Sequence, residues 1–189
     1  MNALLLDCDD SYTLNIYDYL KQCGLVVDVI NCRDIILDKI LVYDTIVLSP
    51  GPNSPVDVPV LFGIIEKFAG YKPILGICLG HQAIGMYYGH TLVQSHNPIH
   101  GISVKISNRD DAIFHNIDTE NLMVMRYNSL ALQDKKESEL HVIARDEAGE
   151  IMAVRHKRHN IYGIQFHPES VGTPQGLKLI ENWKKQLHN

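Results

Sequence analysis

Residues 76–80 read Gly-Ile-Cys-Leu-Gly and directly follow the apolar run Pro73-Ile74-Leu75. A cysteine with a glycine two positions away on each side, a buried strand before it and a helix after it, has the pattern of a nucleophile elbow. Such an elbow is a sharp turn that lifts one reactive side chain clear of the sheet edge. The glycines are needed because a Cβ beside the strained backbone would crowd it. Cys78 is therefore the candidate nucleophile. Cysteine attacks as a thiolate, and the unpaired N–H groups and dipole of a helix N-terminus favour that anion. Buried cysteines more often act as small hydrophobes, and Cys8, Cys23 and Cys32, which lack this setting, are expected only to pack or to sit near the surface.

A thiol also needs a group to carry protons, usually histidine. With ten histidines in the chain, setting must select one. Gln165-Phe166-His167-Pro168-Glu169-Ser170 follows a strand-like run at 161–165. This places His167 and Glu169 at a strand's end, where α/β sheets gather their sites. Pro168 biases His167 toward an extended backbone, so His167 and Glu169 are expected to point the same way, with Glu169 orienting the imidazole and stabilising its cation. The third element is the stiff loop Ser49-Pro50-Gly51-Pro52-Asn53-Ser54-Pro55. Acyl chemistry calls for two donors aimed at the developing oxyanion: the N–H of Leu79, just after the nucleophile, and one from a neighbouring loop. Pro50 and Pro52 have no N–H, so Gly51 or Asn53 must provide it, and Gly51 permits the closer approach.

Strands must deliver these pieces. Residues 3–7 read as a strand buried on both faces, and Ser11 is placed to cap an amphipathic helix over 13–22 that Gly24 stops. Strands over 26–30 and 45–48, a helix over 58–68, a strand over 74–77 and a helix over 81–88 ending at Gly89 continue the alternation, which predicts a parallel sheet with helices on both faces. Beyond residue 90, strand-like runs at 102–107, 122–126, 140–145, 151–155 and 161–165 often alternate apolar with polar, as half-exposed antiparallel strands do. A helix over 176–187 closes the chain. The expected fold class is α/β and three-layered: a mixed, mostly parallel central sheet, helices on both faces and an antiparallel extension. At 189 residues, with no repeat or linker, one domain over 1–189 is expected.

Composition narrows the partners. A net charge of −5 offers no basic footprint for nucleic acid or an anionic membrane surface. No apolar run reaches spanning length, and the start lacks the basic region and cleavage site of a secretory signal. A cytoplasmic location with reduced thiols is expected, and no cysteine pair has zinc-site spacing. No metal and no cofactor are expected.

With the loop, the cysteine and His-Pro-Glu in this order, the chain resembles the class I glutamine amidotransferases from end to end. Within them it is similar to the glutaminase subunits of anthranilate synthase and aminodeoxychorismate synthase. The matching segments are Asp9-Asp10-Ser11-Tyr12-Thr13, Ser49-Pro50-Gly51-Pro52, Gly76-Ile77-Cys78-Leu79-Gly80-His81-Gln82, His100-Gly101, Arg126-Tyr127, Ser129-Leu130 and Phe166-His167-Pro168-Glu169-Ser170. The resemblance implies that Cys78 attacks the side-chain amide of L-glutamine and leaves a γ-glutamyl thioester that water hydrolyses. His167 would carry the protons, and Glu169 would orient it. Gly51, Pro52, Asn53, Gln82, Ser129 and Leu130 would hold the glutamine, Gln82 sharing a helix face with Cys78 four residues away. It implies further that the ammonia goes to a larger chorismate-binding synthase subunit, any magnesium requirement being that partner's. Two positions depart from the family pattern. Asn53 stands where glycine is usual, and Asn128 where histidine is usual. Two rival readings of the same triad are a free-standing γ-glutamyl hydrolase and a catalytically silent docking subunit.

Overall fold

Ala3-Leu4-Leu5-Leu6 alternate their side chains between two apolar layers, as the period of two in a strand requires. In the computed structural model, which describes residues 1–108, 110–118 and 121–188, they lie in β1 (Asn2–Asp7). Ala3 and Leu5 join a buried cluster with Ile16 and Leu20 of α1 (Thr13–Gln22) and with Leu179, Ile180 and Trp183 of α4 (Gly176–Lys185). Leu4 and Leu6 join the opposite cluster, with Leu61, Ile64 and Phe68 of α2 (Val60–Phe68) and Leu79, Ala83 and Ile84 of α3 (Leu79–Tyr87). The pattern repeats in β3 (Thr45–Leu48), where Val47 faces the first layer and Ile46 and Leu48 the second. The three-layer α/β arrangement thus follows from strands apolar on both faces.

The other strands are β2 (Val26–Asn31), β4 (Ile74–Ile77), β5 (Leu92–Asn108), β6 (Met123–Leu132), β7 (Leu140–Asp146), β8 (Ile151–His156) and β9 (Ile161–Ile164). They form one sheet in the order β2-β1-β3-β4-β9-β8-β7-β5-β6. From β2 to β9 neighbours are parallel, and from β9 to β6 they are antiparallel. β3, β4 and β9 are adjacent and parallel, so the segments leaving their C-terminal ends, 49–55, 78–82 and 165–170, emerge side by side. Those are the three segments whose residue types suggest chemistry.

Several local expectations are corrected. Ser11 does not cap α1: Tyr12 holds that position without a side-chain cap bond. The turn is instead tied by the aspartates, Tyr12 N–H donating to Asp10 Oδ1 at 2.8 Å and Thr13 Oγ1 to Asp7 Oδ1 at 2.8 Å. The second helix starts at Val60 rather than 58, after a 3₁₀ turn at Pro55–Asp57 that Ser54 and Asp57 cap reciprocally. α3 starts at Leu79 rather than 81, which puts Cys78 itself at the cap position. Gly24 and Gly89 end their helices as expected, at φ +81° and +82°, and Leu25 N–H to Leu20 O and His90 N–H to Gly85 O close the two ends.

The largest difference is in β5 and β6, which outrun the expected 102–107 and 122–126. Pro98 and Gly101 give this stretch a loop-like composition, yet the pairing continues past both through register shifts between Gln94 and Ile99 and between His100 and Ile102. Bulges are where a strand accommodates a proline and a positive-φ glycine, here Gly101 at +75°. Because β6 continues to Leu132, it carries Tyr127 to Leu130 toward the ends of β4 and β9. The 3₁₀ turn at Leu37–Val42 is not evident from composition, and the last helix, expected over 176–187, ends at Lys185 and tightens into a 3₁₀ turn at Gln186–His188. None of the described helices is long and apolar enough to cross a membrane.

Candidate active site

Cys78 sits between β4 and α3 at φ +49° and ψ −98°, a conformation that L-residues avoid unless the surroundings impose it. Three contacts impose it here. Cys78 N–H donates to Ile164 O of β9 at 2.8 Å. A Cβ on Gly76 would lie 2.4 Å from the backbone of Gly80, and one on Gly80 would lie 2.5 Å from Leu48 O, so both positions admit only glycine. The expected elbow is therefore present, with glycines demanded by backbone on backbone. Cys78 is 8 % exposed and lines an open pocket, so a small molecule can meet it from one side.

His167 reaches the elbow from the end of β9. It pairs with Met125 of β6 as an isolated antiparallel bridge, and Ser170 N–H closes a turn onto His167 O at 3.3 Å. His167 and Glu169 do face each other, but around this turn rather than along a straight strand as expected. His167 Nδ1 and Glu169 Oε1 are 2.6 Å apart and both side chains are buried. A Cβ on Gly176 would fall 1.7 Å from Pro168 O, so the start of α4 presses on the turn and holds it closed.

The electrostatics favour a charged imidazole. Burial works against the cation, but the neighbouring Cys78 sulfur and the Glu169 carboxylate outweigh it and push His167 up to about 10. Nε2 makes no hydrogen bond of ordinary geometry among the described residues, as is common for catalytic contacts before substrate tightens them. Tyr127 and Tyr12 meet the imidazole edge-on at centroid distances of 4.9 and 5.8 Å and stack on each other at 5.4 Å. This aromatic cover is not apparent in the sequence, because it depends on β6 lying beside the 165–170 segment.

Cys78 opens into a pocket of about 490 Å³ lined by Gly51, Pro52, Asn53, Gln82, Ser129 and Leu130 together with Ser54, His100, Tyr127 and Asn128. Every expected glutamine contact lies on this wall. His167, Glu169 and Leu79 lie behind it, and the Leu79 side chain, 1 % exposed, is so close to Gly51 that a Cβ there would come within 2.7 Å of Leu79 Cδ2. The same Cβ would meet Cys8 O at 2.7 Å. Gly51 is thereby brought beside the first residue of α3, whose N–H has no acceptor within its helix. Asn53 takes φ +65°, the conformation in which asparagine best replaces glycine, so the departure at this position leaves the loop intact.

The other departure, Asn128, is buried. Its Oδ1 accepts from Arg126 Nε at 3.0 Å and its Nδ2 donates to Leu130 O at 3.0 Å. His100, another residue that the sequence places only by resemblance, holds Ser129 through Nε2···Oγ at 2.8 Å. Among the described residues no group of three or more His, Cys, Asp or Glu is arranged to hold a metal ion.

A thiol on a strained strand-to-helix turn beside a carboxylate-held imidazole, at the C-terminal edge of a parallel sheet, is the arrangement that cysteine-dependent acyl transfer requires. The family model of glutamine amidotransferase class-I matches residues 4–187, and the chain belongs to that family. Similar proteins include anthranilate synthase component 2 of Pseudomonas aeruginosa, 38 % identical over 97 % of this chain and 94 % of the relative. The aminodeoxychorismate synthase component 2 of Escherichia coli is 37 % identical over 95 % and 97 %. In fold, the chain matches a crystal structure of a Thermoplasma acidophilum protein assigned as a GMP synthase subunit, with a TM-score of 0.89, 22 % identity, and coverage of 100 % and 94 %.

Proposed function

We propose that this protein is the glutaminase subunit of a chorismate-using synthase, releasing ammonia from L-glutamine for a larger chorismate-binding subunit. The product of the assembled enzyme is anthranilate, 4-amino-4-deoxychorismate or both. The observation that carries this reading is the strained Cys78, beside the Glu169-held His167, opening into a pocket that holds every residue expected to bind glutamine. The similarity to second components of both synthases, at 38 % and 37 % identity, supports the partner without choosing the product. The chain acts as one domain in the cytoplasm, where its four thiols stay reduced.

The reaction runs in two halves. Cys78 Sγ attacks the side-chain carbonyl carbon of glutamine, and the N–H groups of Gly51 and Leu79 hold the oxygen as it becomes an oxyanion. The C–N bond breaks as His167 gives its proton to the departing nitrogen, which leaves as ammonia. Water then yields a proton to His167 and attacks the γ-glutamyl thioester. The C–S bond breaks, the sulfur returns to its resting state and glutamate departs. Glu169 keeps the imidazole aimed and stabilises its cation throughout, while Gln82, Ser129 and Leu130 orient the substrate.

Co-expression with the synthase subunit tests this reading. Glutamine hydrolysis should be weak in the isolated chain and rise at least about tenfold in the complex when chorismate is present, since ammonia is of use only where the partner can consume it. Equally strong hydrolysis without the partner would favour the free-standing hydrolase. No hydrolysis in either state, with Cys78 inert to glutamine-like electrophiles, would favour the silent subunit.

The raised His167 pKa gives the reaction a pH signature. The folded value of about 10 lies above the ordinary 6.5, so the proton is held through neutral pH. The stability that this proton contributes is complete below about 6.5 and is lost as pH rises through about 10. For the complex, kcat for glutamine should therefore decline on the alkaline side near pH 10, because the leaving nitrogen loses its proton donor. Alkylation of Cys78 by iodoacetamide, whose iodide leaves without a proton, should show no such decline. A kcat profile already falling near pH 7 would contradict the assignment.

A further inference from the structure

We propose that Gln165 is a further residue of the reaction centre: its side-chain N–H donates to the Cys78 sulfur, in an orientation imposed from the Leu130 carbonyl through Gln82. The proposal deepens the glutaminase reading and rests on Cys78 being its nucleophile. Gln165 is fully buried, and its Nε2 lies 3.6 Å from Cys78 Sγ, hydrogen-bond distance for sulfur.

The orientation can be followed atom by atom. The Leu130 carbonyl can only accept. The Gln82 atom 3.1 Å from it is therefore nitrogen, and the second hydrogen of that nitrogen points to Gln165 at 3.1 Å. The Gln165 atom there must be oxygen, which turns the Gln165 N–H₂ toward the sulfur. Reversing Gln165 would set its fully buried N–H₂ against the Gln82 N–H₂ and turn a carbonyl oxygen toward the sulfur, a contact that opposes the thiolate. The backbone fixes the starting point: Gln165 N–H donates to Met152 O at 2.8 Å, next to the Ile164 carbonyl that holds Cys78 N–H.

A donor at this sulfur does two things. It favours the thiolate over the thiol, since hydrogen bonds to an ionised acceptor are the stronger ones. It also pins the sulfur on its strained turn before substrate arrives. As the C–S bond forms, negative charge moves from sulfur to the carbonyl oxygen and the Gln165 contact weakens. Gln165 therefore acts on the resting nucleophile, whereas Gly51 and Leu79 act on the oxyanion. Gln82 is correspondingly committed through both amide hydrogens, and its Oε1 is the atom it can present to the bound glutamine.

The test is the pH dependence of Cys78 alkylation by iodoacetamide, read by peptide mass spectrometry, in the unmodified protein, Gln165→Met and Gln165→Glu. Methionine keeps the length and removes the donor, so the profile should move to higher pH by about one unit, the size expected for losing one hydrogen bond to a charged group. Gln165→Glu, which adds an acidic group facing the sulfur, should move it further. A change confined to melting temperature, with both profiles superimposable on the original, overturns the proposal. Should both variants fail to fold, the side-chain amide protons of Gln165 in the unmodified protein must shift by NMR through the pH midpoint of Cys78 alkylation; resonances unmoved there overturn it equally. Alkylation consumes no glutamine, so a displaced profile in a protein that fails to turn over glutamine would keep this assignment and remove the glutaminase reading.

Discussion

Cys78→Ser should lower glutamine-dependent synthesis by the assembled enzyme by about a thousandfold or more, while synthesis from added ammonium salts stays within about twofold of the unmodified complex. Serine keeps the shape of the side chain, so the elbow and its contacts to Gly80 and Ile164 survive, and the melting temperature should barely move. The chemistry does not survive. A hydroxyl beside His167 is a far weaker nucleophile than a thiol, because an alcohol holds its proton far more tightly and an imidazole that is already charged cannot strip it. The surviving ammonia-dependent reaction distinguishes loss of chemistry from loss of assembly. Glutamine-dependent turnover within tenfold of the original would remove Cys78 from the mechanism. Loss of the ammonia-dependent reaction as well would contradict the division of labour between the two subunits.

What could be read from the sequence follows from how local each signal is. The elbow is legible because Gly76 and Gly80 flank Cys78 within five residues, and Gly76 answers to a backbone contact inside the same unit, although Gly80 answers to Leu48 of the neighbouring strand. His167 and Glu169 are legible as a pair because a turn of four residues is enough to bring them together. The adjacency of the loop, the elbow and His-Pro-Glu follows from a parallel sheet, although the order β3-β4-β9 is a long-range choice that no local pattern shows. The aromatic cover of Tyr12 and Tyr127 and the role of Gln165 are not legible. They depend on β6 continuing through Asn128 and Leu130, past the point where composition suggests a loop, and on its bridge from Met125 to His167. The charged group behind that strand is hidden for the same reason. Asp146 and Glu150 carry no local mark of burial, since charged side chains are mostly exposed, and Arg126 is marked only by resemblance until the antiparallel strands fold all three inward.

That buried group carries the second large effect. Arg126 is fully buried, with Nη1 on Asp146 Oδ2 at 2.5 Å and Nη2 on Glu150 Oε2 at 2.6 Å. Ser95 Oγ and His96 N–H both donate to Glu150 Oε1 at 2.7 Å. Burial pushes the Asp146 carboxyl up; the same burial acts on Glu150, but its bonds from Ser95, Arg126 and His96 hold it below the usual range. The two carboxylates share one guanidinium, so removing it leaves both uncompensated. Arg126→Met should cost about 3–5 kcal/mol of stability, the range for breaking a buried ion pair from one side, or about 10 °C in melting temperature for a chain of this size. The sign of the pH dependence identifies the cause. In the unmodified protein the Glu150 contribution is present above the ordinary 4.5 and is lost as pH falls below it, with Asp146 opposing it. In the variant both folded carboxyls sit above their unfolded values, so its deficit should be greatest at pH 8 and shrink toward pH 5 as they take up protons. Adding Asp146→Asn and Glu150→Gln to Arg126→Met should recover much of the loss, since no buried charge then lacks a partner. A loss that is the same at pH 5 and pH 8, and that the added substitutions do not relieve, would reduce Arg126 to a packing residue.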